Sequence, residues 1–171
     1  MILLAGIYHP EGYRMKFSDF VCFEATVPEL RAGDRDGVIA ELVLSLDEAS
    51  KIGKHKCKEI TTEIIRRENE ASTGMGKGVA MPHVKHNAVS DVVAVVGQSS
   101  TGVGFSALDK QPVYSVILIV SPVDNPDRHL QAIESVFKHL QQERFRRFLR
   151  MCRTSEQIRE LLLEADEDPS L

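Results

Sequence analysis

The chain has 171 residues, 43% of them apolar and 27% charged, which suits one compact domain with a real core and is short for two. A formal net charge of −4 argues against generic nucleic-acid binding and fits either ordinary solubility or a partner with a basic face. The cysteines, Cys22, Cys57 and Cys152, are widely spaced and odd in number, so they read as reduced buried thiols of a reducing compartment, not as a disulfide frame.

The opening run Met1-Ile2-Leu3-Leu4-Ala5-Gly6-Ile7 is too short to span a bilayer and lacks a basic start, so it does not read as a signal peptide. His9-Pro10-Glu11-Gly12 is a turn-like break, and Met15 to Phe20 look like the natural start of a domain. Residues 1–14 are therefore expected to be a peripheral extension, 15–165 the domain, and 166–171 an acidic tail that frays from about Glu164. A first helix is predicted over Asp34 to Ser50, with Asp34 as its cap and Val38, Ile39, Leu42, Val43 and Leu46 as one buried stripe; Gly53 breaks it. A second runs from about Lys56 to Glu68, where Ile60, Ile64 and Arg67 share a face and Arg66 points about 100° away.

Gly74-Met75-Gly76-Lys77-Gly78 then forms a flexible loop, suited to a sharp turn or to close approach of a bound anion. Val79-Ala80-Met81 is a short buried strand. Pro82 cannot donate to a ladder, so it ends the strand and holds His83 at the tip. Strands are predicted at Val92–Gly97 and Val113–Val120; the second is continuously apolar, as a central strand covered on both faces would be. Thr101–Phe105 and Leu108–Pro112 read as turns, and Ser121–Pro126 as a loop. Asp127 is the expected cap of a helix burying Leu130, Ile133, Val136, Phe137 and Leu140, with His129 turned inward from its first turn. Glu143–Met151 is a short helix. A last helix opens at Thr154-Ser155-Glu156-Gln157, a capping-box pattern, and buries Ile158, Leu161 and Leu162. Helices and strands interleave, which predicts an α/β layer fold around one mixed sheet.

His83, His129 and Arg67 gather toward one end of such a sheet. Neutral imidazole is a competent nucleophile near pH 7 and can form covalent intermediates. A phosphoryl group on it would need charge neutralisation, which an arginine fork, a second histidine and backbone N–H groups can supply without a metal. Each residue also has a plain structural reading: a histidine at a strand end, an arginine on a helix dipole, a histidine packing a polar edge. His83 and His86 make an H-x-x-H spacing that could bind zinc, though no third ligand is in view. The Gly-rich loop is not a nucleotide motif. A P-loop needs Gly at 71 and Ser or Thr at 78, where Ala71 and Gly78 stand, and a dinucleotide fingerprint needs a small residue at 79, where Val79 stands.

The stretch Arg67-Glu68, Ser72-Thr73-Gly74-Met75-Gly76 and Gly78-Val79-Ala80-Met81-Pro82-His83 resembles the active-site region of enzyme IIA components of the phosphoenolpyruvate-dependent sugar phosphotransferase system (PTS), fructose/mannitol/nitrogen-regulatory type. The likeness continues through Gly102–Val113, Asp127-Arg128-His129-Leu130 and Thr154–Ile158, and covers about residues 15–165. The resemblance implies a mixed five-stranded sheet with helices on both faces, and a phosphotransferase that takes a phosphoryl group on His83 Nε2 from an HPr-like histidine phosphocarrier. It implies that Arg67 and His129 steady that group and that Ser72, Thr73 and Gly74 line its pocket. No cofactor, metal, nucleic acid or membrane span is expected, and the setting is cytoplasmic. The family often has a small residue and then arginine after Pro-His, where this chain has Val84-Lys85-His86, and an acidic residue where it has Ser106. With no second module carrying a cysteine acceptor and no span, the nitrogen-regulatory branch is favoured. The alternatives are a sugar-specific IIA donating to a separate IIB component, and a docking module in which His83 is idle and regulatory targets are bound directly.

Overall fold

The computed structural model describes residues 14–171, so the expected extension lies, apart from Arg14, outside the described residues. The chain order is α1 (Phe17–Phe20), a 3-10 turn (Phe23–Ala25), α2 (Arg35–Glu48), α3 (Cys57–Glu70), β1 (Gly74–Gly76), β2 (Val79–Ala80), β3 (His83–Lys85), β4 (Val93–Val103), β5 (Val113–Ser121), α4 (Pro126–Leu140), α5 (Glu143–Met151) and α6 (Ser155–Glu167).

β5 is the spine of a five-stranded mixed sheet. β4 pairs antiparallel along one edge of it, while β2 and then β3 pair parallel along the other. Met81-Pro82 interrupts that second edge: Pro82 has no N–H to give, but its carbonyl still accepts from Ile119 N at 2.9 Å. His83 is thereby held opposite Ile119. The side chains of β5 alternate between two cores. Val116, Leu118 and Val120 pack with α2 and α3, and Ile117 and Ile119 with α1, α4, α5 and α6. This is why the strand reads as unbroken apolar sequence: both faces are dry, and each fully buried aliphatic side chain stabilises the fold by about 1.5–3 kcal/mol. Helices cover both faces, as expected.

Asp34 caps α2 by accepting from Gly37 N at 2.7 Å, and Thr154 and Gln157 form the capping box of α6. Several expectations need correction. The Gly-rich loop is a β-hairpin, β1 against β2, turned through Gly76, Lys77 and Gly78, all at positive φ (83°, 57° and 80°). Its glycines serve that turn, and at Gly74 a close approach: a Cβ there would meet Ala107 Cα at 2.8 Å. Thr101 to Val103 belong to β4, which continues past Gly97 because Gln98, though polar, is buried with its amide bonded to Ser115 Oγ and to the Leu149 carbonyl. The cap of α4 is Asn125, accepting from Arg128 N, with Pro126 at the first helical position; Asp127 lies inside the first turn. Leu130 and Phe137 are about half exposed (52% and 47%), because the inward stripe of α4 runs through His129, Ala132, Ser135, Val136, His139 and Leu140. The tail does not fray. Asp166 accepts from Phe17 N and Ser18 N at 2.6 and 3.0 Å, and Leu171 is fully buried. All three cysteines are free thiols, Cys22 and Cys152 buried and Cys57 half-buried. Among the described residues no helix is long and apolar enough to cross a membrane.

Candidate functional site

The second half of α3, the strand β3 and the first turn of α4 enclose a cleft of about 300 Å³ lined by Glu63, Arg66, Arg67, Glu70, His83, Val84, Lys85 and His129. Arg67, His83 and His129 thus meet in one place. Arg67 sits in the last turn of α3, where its Nη1 donates to the Ala71 carbonyl at 2.9 Å. His129 stands in the first turn of α4, 7% exposed, and its ring faces that of His83 with centroids 5.6 Å apart. A larger cleft of about 600 Å³, between Gly104 and Pro112, has Lys110 as its only titratable side chain.

The His83 ring is held by the backbone just before its strand. Nδ1–H donates to the Met81 carbonyl at 2.9 Å, which leaves Nε2 with its lone pair. Nε2 has no partner among the described residues and is not among their sealed-off polar atoms, so it opens on the cleft. Burial pushes the His83 pKa below its ordinary value; the Met81 bond opposes this, and the nearby Arg67 charge adds to it. The ring is therefore neutral, with a bare nitrogen outward, at pH 7. His129 is pushed down to about 4, by burial first and then by His83 and Lys85, so it too is neutral. Its Nδ1 lies 2.8 Å from Ser121 Oγ.

Ser72, Thr73 and Gly74 are not among the residues lining this cleft. Ser72 Oγ donates to the Phe105 carbonyl at 2.7 Å and accepts from Gly74 N at 3.0 Å. Thr73 gives its N–H (3.0 Å) and its hydroxyl to the Glu68 carboxylate. Glu68, 2% exposed, is the anchor that ties the end of α3 to the hairpin. Its position was readable, since 60, 64 and 68 fall at helical spacing, whereas Ser121 carries no such signal. Lys85 joins the cleft from β3. His86 turns away: it is buried, accepts from Ala88 N at Nδ1 and bonds Glu59 through Nε2 at 3.0 Å. The H-x-x-H pair is thus split. The one group of three possible metal ligands among the described residues is Glu59, Glu63 and His86, without His83.

Residues 23–165 match the family described as "Phosphoenolpyruvate-dependent sugar phosphotransferase system, EIIA 2". The chain belongs to that family, the enzyme IIA proteins of the PTS. It is 28% identical over 153 residues to the PTS system fructose-specific EIIABC component of Bacillus subtilis, covering 90% of this chain and 24% of that protein. It is 35% identical over 105 residues to the nitrogen regulatory protein of Klebsiella oxytoca, covering 60% of this chain and 64% of that one. It thus spans about a quarter of one relative and just under two thirds of the other. The fold is shared with the nitrogen regulatory protein IIA-Ntr of Neisseria meningitidis (TM-score 0.77, 24% identity, 85% of this chain and 98% of that one). It is also shared with the Escherichia coli complex of enzyme IIAMTL and phosphorylated enzyme IIBMTL (TM-score 0.69, 21% identity, 82% and 95%).

Proposed function

We propose that this protein is a cytoplasmic phosphotransferase that takes a phosphoryl group on Nε2 of His83 from an HPr-like histidine phosphocarrier, and that its phosphorylation state carries a regulatory signal. The observation that carries the proposal is the state of His83: one nitrogen committed to the Met81 carbonyl, the other bare and open to a cleft containing Arg67, Lys85 and His129. In the transfer the P–N bond of the carrier breaks as the bond from His83 Nε2 to phosphorus forms. The Nδ1 proton stays on Nδ1, bonded to the Met81 carbonyl, so no proton needs to leave. Transfer of this kind asks mainly for positioning and charge stabilisation. The guanidinium of Arg67 offers planar donors to the oxygens, and Lys85 and the His129 ring add donors beside it. The regulatory reading is supported by the likeness to nitrogen regulatory proteins.

The likeness to a fructose-specific protein over 90% of the chain supports a second reading, in which His83 passes the group to a IIB component. One assay addresses both. The protein is incubated with phosphoenolpyruvate, the first enzyme of the relay and the phosphocarrier, and its intact mass is followed. An acid-labile phosphoryl group on wild type and none on His83→Ala is expected; an unlabelled wild type would leave a docking module. Adding a fructose-type IIB then separates donor from regulator, since loss of label to IIB supports the sugar-specific reading.

A further inference from the structure

We propose that Ser121 is a positioning residue: its buried hydroxyl donates to Nδ1 of His129 and holds that ring as the Nε2–H tautomer, a hydrogen-bond donor facing the His83 cleft. Ser121 is the last residue of β5, fully buried, with Oγ 2.8 Å from His129 Nδ1. That oxygen has no other partner among the described residues. Its own backbone is fixed from β3, where Lys85 pairs with it and His86 N donates to its carbonyl at 2.8 Å.

A hydroxyl with a single ring-nitrogen partner can either give or receive the proton between them. If it received one from Nδ1–H, its own proton would be stranded in a dry interior, where an unmade hydrogen bond is penalised. Giving its proton leaves nothing unpaired. Nδ1 must then be bare, and a neutral ring carries its one proton on Nε2. Burial, His83 and Lys85 all keep the ring neutral. His129 Nε2 has no partner among the described residues and is not sealed off, so that N–H faces outward.

The two facing rings are thus set in opposite tautomers by different devices. The Met81 carbonyl leaves His83 with a bare Nε2, and the Ser121 hydroxyl leaves His129 with a protonated one. Resting on the phosphoryl-acceptor reading, the pairing puts an N–H donor beside the oxygens of a group bonded to His83. An apolar side chain at 121 would let His129 choose either tautomer, and the Nδ1–H form would present a lone pair to an anion.

The test uses the whole chain with nitrogen-15 histidine. Long-range proton–nitrogen spectra at pH 7.5 are expected to show His129 as Nε2–H in wild type and a shift toward Nδ1–H in Ser121→Ala. The rate of phosphoryl transfer to His83 should fall about tenfold in Ser121→Ala, the scale of one net hydrogen bond, and Ser121→Thr should restore both. Wild-type His129 in the Nδ1–H form, an unchanged tautomer in Ser121→Ala, undiminished transfer, or no rescue by threonine would each overturn the proposal. A wild type that takes no label sinks the phosphoryl-acceptor reading instead, and the spectra still decide whether Ser121 sets the ring.

Discussion

Among the described histidines, His83 is set apart from the three buried ones, His86, His129 and His139, by what its neighbours leave free. His139 gives its Nδ1–H to the Ser135 carbonyl and accepts from the Arg14 guanidinium at Nε2, and His86 is bonded to Glu59 and Ala88 N. His129 has its Nδ1 engaged and a pKa near 4. His83 keeps an open, unprotonated nitrogen with Arg67 close enough to depress its pKa. If that guanidinium meets the phosphoryl oxygens, Arg67→Ala should weaken transfer by about 1–3 kcal/mol, the worth of a charge-assisted hydrogen bond. Arg67→Lys should recover part of this, keeping the charge and losing the fork. Transfer rates measured with the phosphocarrier check both, and an unchanged rate in Arg67→Ala would remove it from the site.

At the scale of elements, α6 and the residues after it carry an expectation of their own. Leu171 is fully buried in the core under α1, α4 and α5, so Leu171→Ala should lower stability in urea by about 2–5 kcal/mol, as a core leucine does. A fraying tail would lose nothing. The sequence hid this because the acidic stretch before Leu171 looks like a solvated end, while Asp166 is in fact the acceptor that caps α1 across the molecule. Elements with dense apolar stripes were legible: α2 through Val38, Ile39, Leu42, Val43 and Leu46, and β5 through its unbroken run. On α4 only Leu130 and Phe137 fall outside the inward face, because two histidines and a serine take their place with hydrogen bonds that hydrophobicity does not register: His129 with Ser121 Oγ, Ser135 Oγ with the Met15 carbonyl, and His139 Nδ1 with the Ser135 carbonyl. In the site, Arg67, His83 and His129 could be found from helical spacing and the Pro-His strand end. Ser72 and Thr73 lie along the same stretch but turn their hydroxyls to Phe105 and Glu68, a choice made by tertiary contacts. Ser121 is one more polar residue at a strand end until the structure sets it against an imidazole.

At the scale of the whole fold, three of the described histidines, His83, His129 and His139, are held neutral below their ordinary pKa of 6.5, each chiefly by burial. The unfolded chain takes up protons on them as pH falls through about 6.5, while the folded chain resists, down to about 4 at His129. The unfolded state then binds more protons, so stability is highest above pH 6.5 and falls as pH drops toward 4. Urea midpoints at pH 7.5, 6 and 5 should decline in that order, and more shallowly in His129→Gln; a flat or rising series would contradict the burial of these rings. The cleft itself lies between the second half of α3, β3 and the first turn of α4, so a strand of the sheet and a helix from each face converge on one imidazole. The most direct measurement is the position of phosphorus on that ring, read by phosphorus and nitrogen-15 NMR of the phosphorylated protein. Phosphorus bonded to Nε2 of His83 is the expected result. Phosphorus on Nδ1, or on any other residue, would contradict the account, because Nδ1 is the nitrogen that the Met81 carbonyl holds.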